Sequence, residues 1–315
     1  MRNDGDMEEP PVAIVRSYHA TDSGMRAVKA RRVRLRADMA VADAFRATVL
    51  ECLAQIEGNT TAIRARNPRG VHQIRVGLRR LQVALLAFAM GAERTQLQAM
   101  SRRGRALANV MGPARDLDVF REKLLPRVAR KFDTDESFSA LQLAVERARR
   151  KAWSAAQTAI LAPEFGALLN DVAAAAETVP QSDTEIVQLS RRALNELYRK
   201  ARKRGRRAGR VYDAHLHKLR IALKKLRYAA EFFAPLYARK RSARYIKELK
   251  VLLDGLGDAN DAHGVGALVE RLGDGSQLCF AQGVITGWYT AREKRLTRRA
   301  LKRWRAFKQL KPFWT

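Results

Sequence analysis

From Asp38 onward, apolar residues recur every three or four positions almost without relief. Val41, Phe45, Val49, Leu53 and Ile56 make one helical face, which Gly58-Asn59 ends. Asn67-Pro68 opens a second helix that Gly91 closes, and a third runs to Met111, where Gly112-Pro113 forces a turn. One further helix is expected to about Lys131, then a loop over Asp133 to Ser137. A long helix to Leu161 stops at Pro163, and an Ala-rich segment to Thr178 precedes Pro180. After Pro180 the scheme restarts. Ile186, Leu189, Ala193 and Leu197 share a face, Asp213 can cap the next helix, and Pro235 ends that helix. Helices are then expected over about 239–254 and 260–272, with a last one from Ser276 to about Lys308. Alternating runs are short and β-branched residues sit at helical intervals, so no strand is expected. The pattern predicts an all-α protein of two helical bundles. An irregular arm spans 1–37, a first bundle 38–180 and a second 181–315.

The restart is also a repetition. Val71 to Phe88 reads VHQIRVGLRRLQVALLAF, and Leu216 to Phe233 reads LHKLRIALKKLRYAAEFF. His72 and His217 lie 145 positions apart, and the same shift places Met111-Gly112 on Leu256-Gly257 and Asp116 on Asp261. That period is far longer than a solenoid unit, so it reads as a duplicated half-molecule.

Charge changes the picture next. The 315 residues include 61 Lys and Arg against 32 Asp and Glu, a net charge of +29. So positive a field attracts polyanions, leaving nucleic acid, acidic membrane surface and polymeric phosphate as partner classes. No run of 18 or more apolar residues appears, so no membrane span is expected. The N-terminus lacks the basic-then-apolar start of a secretory signal. Cys52 and Cys279 sit in apolar helical patterns with no CxxC, and read as buried small hydrophobes of a reducing compartment, the cytosol. The basic run Met25 to Arg36 reads as a solvated arm.

At about 100° per residue, Ile74, Leu78, Leu81, Leu85 and Phe88 gather on one side of the first basic helix. His72, Arg75, Arg79 and Gln82 gather opposite, with Arg80 toward an edge. In the second copy Leu219, Leu223, Leu226, Ala230 and Phe233 oppose His217, Arg220, Lys224 and Arg227, with Lys225 at the edge. Charge is matched position by position at Arg75/Arg220, Arg79/Lys224, Arg80/Lys225, Arg102/Lys247 and Arg105/Lys250, and farther on at Arg147/Arg292, Arg149/Lys294 and Arg150/Arg295. Packing demands matched apolar positions, whereas a solvated face makes no such demand on cations. Their retention points to one ligand shared by both halves. Arg offers a planar fork to two phosphate oxygens and Lys a mobile point charge. Cations at i, i+3/i+4 and i+7/i+8 form a rail suited to a linear polyanion. Two such rails about an approximate two-fold would line a groove or central pore.

His72 and His217 open the rails, and each is as readily an anion contact as a packed residue. An anion there would favour the protonated ring, strengthening binding mildly as pH falls. No HxxxH or neighbouring Cys supports a metal, so no metal or cofactor is expected. Asp116 and Asp261 read as helix caps or as carboxylates orienting nearby cations.

These motifs resemble those of the CHAD family, the conserved histidine α-helical domain. His72 to Leu81 matches HxxRVxLRRL, His217 to Tyr228 matches HxLRIxLKKLRY, and Met111 to Val119 approximates the LGxxRDxDV turn. In the second half Asn260 stands for Arg115 and His263 for Asp118, so that turn departs from the pattern. The resemblance covers about residues 38 to 315. It implies one domain of two four-helix bundles about a pseudo-two-fold axis with a basic central surface. It also implies binding of inorganic polyphosphate, often at polyphosphate granules. The contact residues expected are His72, Arg75, Arg79, Arg80, Arg102, Arg105 and Arg147 in the first half. In the second they are His217, Arg220, Lys224, Lys225, Arg227, Lys247, Lys250 and Arg292. The alternative is a general nucleic-acid binder, although aromatic residues for base stacking are only 7% of the chain. No ExExK signature, P-loop or activated nucleophile is apparent, so a non-catalytic role is expected.

Overall fold

Local sequence sets most helix ends. In the computed structural model, which describes residues 26–89, 94–132, 135–179, 183–209 and 211–315, the order is α1 (Val41–Glu57), α2 (Thr60–Arg64), α3 (Pro68–Phe88), α4 (Arg94–Val110), α5 (Gly112–Val119), α6 (Pro126–Ala129), α7 (Glu136–Leu161), α8 (Pro163–Thr178), α9 (Ile186–Arg206), α10 (Ala214–Phe233), α11 (Arg239–Glu270) and α12 (Ser276–Phe307). The described residues contain no strand, and the fold is all-α. The Asn67 side chain accepts the Arg69 N–H at 2.9 Å, with Pro68 filling the first helical position. Asp213 likewise accepts the Leu216 N–H at 2.8 Å and starts α10. Gly91, residues 133–134 and residues 180–182, which the pattern assigned to a helix end, a loop and a boundary, lie outside the described residues, as do residues 1–25.

Two expected boundaries differ. The helix expected to run to about Lys131 is broken: a π-helical turn, Phe120–Leu124, separates α5 from α6. Pro126 is the cause, because it has no N–H to give and its ring clashes with the carbonyl four residues back. The chain adapts by a wider turn, with Leu125 N–H donating to Phe120 O at 2.8 Å. In the second half the reverse holds. The helices expected over 239–254 and 260–272 are one 32-residue helix, α11. Gly255 and Gly257 lie in its interior, where a helix propensity cost of about 1 kcal/mol each does not break it. A Cβ on Gly255 would lie 2.9 Å from Arg303 Nη1, so the small residue lets α12 pack close.

The core ignores the boundary at 180. One hydrophobic cluster joins α1, α3, α4 and α8 to α9, α10, the first part of α11 and the end of α12. A second joins the π turn and the start of α7 to the end of α11 and the start of α12. Each therefore draws on both sides of the sequence. The described part of the expected arm is also more than solvated charge. Val33 and Leu35 are buried while Arg32, Arg34 and Arg36 between and beside them face water. Asn59 grips the Val28 backbone on both sides, accepting its N–H at 2.9 Å and donating to its carbonyl at 2.8 Å. The segment is thus a strap across the first helices. Cys52 is buried, its thiol pushed up to about 12 by desolvation, but Cys279 is exposed on the outer face of the first turns of α12. No single helix among the described residues is long and apolar enough to cross a membrane. The bent pair α7–α8 passes by length and composition, and its Trp153, Ile160, Phe165 and Leu168 are core residues here.

Candidate polyanion site

The apolar stripes of the two basic helices fix where their cations go. Ile74, Leu78, Leu81 and Leu85 of α3, and Leu219, Leu223, Leu226 and Ala230 of α10, are shut away from solvent. The helices pack against each other. Phe88 and Phe233, the matched last residues of the two copies, meet with ring centroids 5.5 Å apart, and Phe45 of α1 lies 5.5 Å from Phe88. With that seam closed, the charged stripes converge. Arg79 and Lys224 both act on His72, and Arg79 acts on Lys224 across the crossing. Arg115 and Asp116 join from α5, Lys123 from the π turn and Asp261 from α11. The cluster holds Arg75, Arg79, Arg115, Lys123, Arg220, Lys224 and Arg227 against two carboxylates.

The electrostatic strain is visible in the titrating groups. Partial burial, reinforced by Arg220, Arg79 and Arg227, brings the Lys224 amine down to about 6. Burial and the charges of Arg115, Arg79, Lys123 and Lys224 bring His72 down to about 4. Burial and its cationic neighbours bring Arg75 to about 10, although Asp116 opposes the shift. The Asp116 carboxyl is raised, by crowding out of water first and by Asp261, with Arg75 opposing. Buried Nε atoms of Arg220 and Arg227 have no hydrogen-bond partner. Among the described residues, no three His, Cys, Asp or Glu side chains are grouped as a metal site.

Matched glycines face two of the guanidiniums. Arg75 is 8% exposed and donates to the Ala108 carbonyl near the end of α4. A Cβ on Gly112 would stand 3.2 Å from its Nη1, so the glycine makes the room. The matching glycine, Gly257, faces Arg220 with more space, 3.9 Å. Arg75 therefore braces the α4–α5 turn, while Arg220 remains half open to the site.

The second half of the site is built differently. His217 Nδ1 lies 3.2 Å from Asn260 Oδ1, which also accepts the Tyr212 hydroxyl at 2.9 Å. The Asn260 amide nitrogen donates to Asp261 at 3.3 Å, so its oxygen must face Tyr212 and His217. The His217 proton then sits on Nδ1, and Nε2 is left for a ligand. Burial leads the causes that push the Tyr212 phenol up to about 12. His263, which stands where the first half has Asp118, lies inside the unbroken helix α11, in opposite surroundings. Asp118, wholly buried, accepts from Arg149 Nε at 2.7 Å and from Trp153 Nε1 at 3.2 Å. His263, 51% exposed, sits 3.4 Å from Glu293.

The remaining expected contacts scatter. Arg80 is corrected outright: only 3% exposed, it donates to Gln55 Oε1 at 3.1 Å and to the Arg31 carbonyl of the strap at 3.4 Å, over the Phe232 ring. Its edge position on the wheel turns it inward, where it ties the strap to α1 and α10. Lys225 lies instead with Arg105 and Lys200, its amine lowered by burial and then by those two charges. Lys250 pairs with Glu231 at 3.3 Å, within 4.0 Å of which Arg227 also stands. Arg102, Lys247 and Arg147 are exposed, and Arg292 stacks 3.5 Å over Trp288. The sequence reading missed Arg115 and Lys123 as site residues. Arg115 lies in the recognised turn motif, and eight residues on Lys123 follows at helical spacing, which was the available signal.

A model of the CHAD domain matches residues 47–270. No curated protein matches the chain in sequence. Among solved structures, the crystal structure of the CHAD domain from the plant Ricinus communis is 29% identical, covers 90% of this chain and 97% of its own, and superposes with a TM-score of 0.77. PptA from Streptomyces chartreusis shares the fold at 16% identity, covering 86% of this chain and 100% of its own, with a TM-score of 0.65. The two basic helices, their crossing and the turn after α4 all fall inside the matched span, and the chain belongs to the CHAD domain family.

Proposed function

We propose that this protein binds inorganic polyphosphate at the α3–α10 crossing and does no chemistry on it. The observation that carries the reading is the surplus of cations over carboxylates at a half-buried crossing, where burial first and then Arg220, Arg79 and Arg227 bring Lys224 to about 6. Desolvated like charges are costly unless an anion joins them, and a polymer of phosphates supplies one negative charge after another along a line. Arg79, Arg115, Lys123, Arg220, Lys224 and Arg227 are the expected contacts, with His72 and His217 donating to phosphate oxygen once protonated. Arg75 positions the turn. Asp116 and Asp261 sit among the cations, where they act as partial counterions. Affinity then comes from counterion release and falls steeply with salt. The same reading places the protein in the cytoplasm, at polyphosphate-rich granules.

The deciding experiment is competition at physiological salt. Labelled long-chain polyphosphate on the protein is challenged with single- and double-stranded DNA and RNA at matched phosphate concentration. Polyphosphate should hold, whereas equal displacement would make the protein a general polyanion binder. Replacing Arg79 and Lys224 together by Ala should weaken binding about a hundredfold, the scale of two charged phosphate contacts, with the fold intact by circular dichroism. Unchanged binding sinks the site. Incubation with polyphosphate and divalent cations should release no phosphate.

A further inference from the structure

A second tract of cations lies on α9, outside the site above. Residues 199–207 read RKARKRGRR, seven cations in nine positions, and Glu196 is the acid of that helix, paired with Lys200. The C-terminal helix dipole favours cations in the last turn, but Arg199, Lys200 and Arg202 lie before it. Four like-charged i,i+4 pairs (Arg199/Lys203, Lys200/Arg204, Arg202/Arg206 and Lys203/Arg207) repel one another along the surface.

Helix geometry makes this a path. At about 100° per residue, Lys200 falls at one edge of the exposed face and Arg202 at the other, with Lys203, Arg199 and Arg206 on the crest between them. The tract adjoins the central site through α10, the helix that carries Arg220, Lys224 and Arg227: α9 packs along it, and Lys200 with Arg105 acts on Lys225 of that helix. The Arg202 edge meets α12. Gly205 is so close to Trp304 that a Cβ there would lie 2.5 Å from the indole, and Tyr198 Oη lies 3.5 Å from the Lys308 carbonyl. Arg202 lies over the Tyr198 ring and Lys308 over the Trp304 ring, each at 5.8 Å. From Arg295 to Lys311 the chain carries no acid, so the path stays positive onto α12.

We infer that this tract holds the continuation of a long polyphosphate chain whose first segment occupies the α3–α10 crossing, so that the protein prefers long chains to short ones. The inference rests on the polyphosphate reading above. The aromatic faces argue against single-stranded nucleic acid as the occupant: Trp304 is buried, and Arg202 covers Tyr198, so neither ring is open for a base to stack.

The test compares tripolyphosphate with long-chain polyphosphate on the full-length protein, using the crest variant Arg199→Gln/Lys203→Gln/Arg206→Gln. A charge-matched control, Lys240→Gln/Arg241→Gln/Arg244→Gln, removes three exposed cations from the start of α11. The crest variant should bind long chains about tenfold more weakly, with a salt slope shallower by about one unit for each phosphate it no longer neutralises, and should bind tripolyphosphate like the wild type. The control should match the wild type on both. Equal losses in crest and control variants, or none in either, would overturn the inference and leave the central site standing. So would loss of RNA binding with long-chain polyphosphate unaffected. Failure of the wild type to hold tripolyphosphate or long chains would remove the central reading, and this one with it.

Discussion

The two sides of the central site occupy matched sequence positions and solve the same problem with different chemistry. On the α3–α5 side the turn carries Arg115, Asp118 is buried under Arg149, and Pro113 and Pro126 help break the chain into short helices. On the α10–α11 side Asn260 stands for Arg115, His263 for Asp118 and Asp258 for Pro113, and one helix runs unbroken. The first side buries His72 among fixed charges, and burial first, then those charges, hold it neutral to about pH 4. The second spreads polar hydrogen bonds around His217 through Tyr212 and Asn260. The two basic helices thus meet at one crossing, while single substitutions decide whether a position beside it offers charge or hydrogen bonding.

The largest expected effect separates the two turns. Asp118→Ala strips a wholly buried carboxylate from Arg149 and Trp153 and should cost about 3 kcal/mol of stability in denaturant unfolding. His263→Ala removes an exposed, weakly held partner of Glu293 and should cost well under ~1 kcal/mol. Similar losses at both would erase the contrast.

The matched glycines come next. Gly112→Ala presses on an Arg75 guanidinium pinned to the Ala108 carbonyl, and should destabilise by about 1–2 kcal/mol. Gly257→Ala meets Arg220 at ordinary contact distance inside a long helix, and should stabilise by up to ~1 kcal/mol. Thermal unfolding of the two variants checks the difference in sign.

Protonation sharpens the electrostatic side. Folded Lys224, at about 6, lies below its unfolded value of 10.5, so between those values the unfolded chain binds more protons. Ligand-free stability should therefore rise as pH increases from 6 to 10, and Lys224→Met should flatten that slope. A bound polyanion raises the amine again. Calorimetry at about pH 7.5 in buffers of different ionisation enthalpy should show uptake approaching one proton, absent in Lys224→Met, with affinity falling as pH rises above 6. His72 should add uptake only between about pH 4 and its ligand-bound value, and His72→Asn should remove it.

The smallest effect converts one side into the other. Asn260→Arg gives the second turn the cation of the first and should tighten binding a few-fold at low salt, with a steeper salt slope. Weaker binding instead would show that the Tyr212–Asn260–His217 hydrogen bonds matter more than added charge.

Much of this was legible in the residues. Periodicity, capping Asn67 and Asp213, and the prolines placed most of the helices, because those signals act within a turn or two of the chain. The doubled motif singled out Arg79 and Lys224, which the fold brings together beside His72. Where local propensity pointed one way, the residues misled: Gly255 and Gly257 look like a break, yet α11 runs through both, with Gly255 leaving room for the Arg303 side chain. Arg80 lies at the edge of the charged stripe, and only the fold shows it buried, bound to Gln55 of α1 and the Arg31 carbonyl of the strap.

The sequence by itself determined an all-α chain, two amphipathic basic helices and a strongly positive charge balance, since periodicity and composition are properties of the chain. Tertiary structure alone decided which cations share one desolvated site. Arg115 and Lys123 reach His72, and Asp116 reaches Asp261, through folding that brings α5, the π turn and α11 together. Coulomb energy and desolvation depend on distance and burial in space, and neither is written in the order of residues.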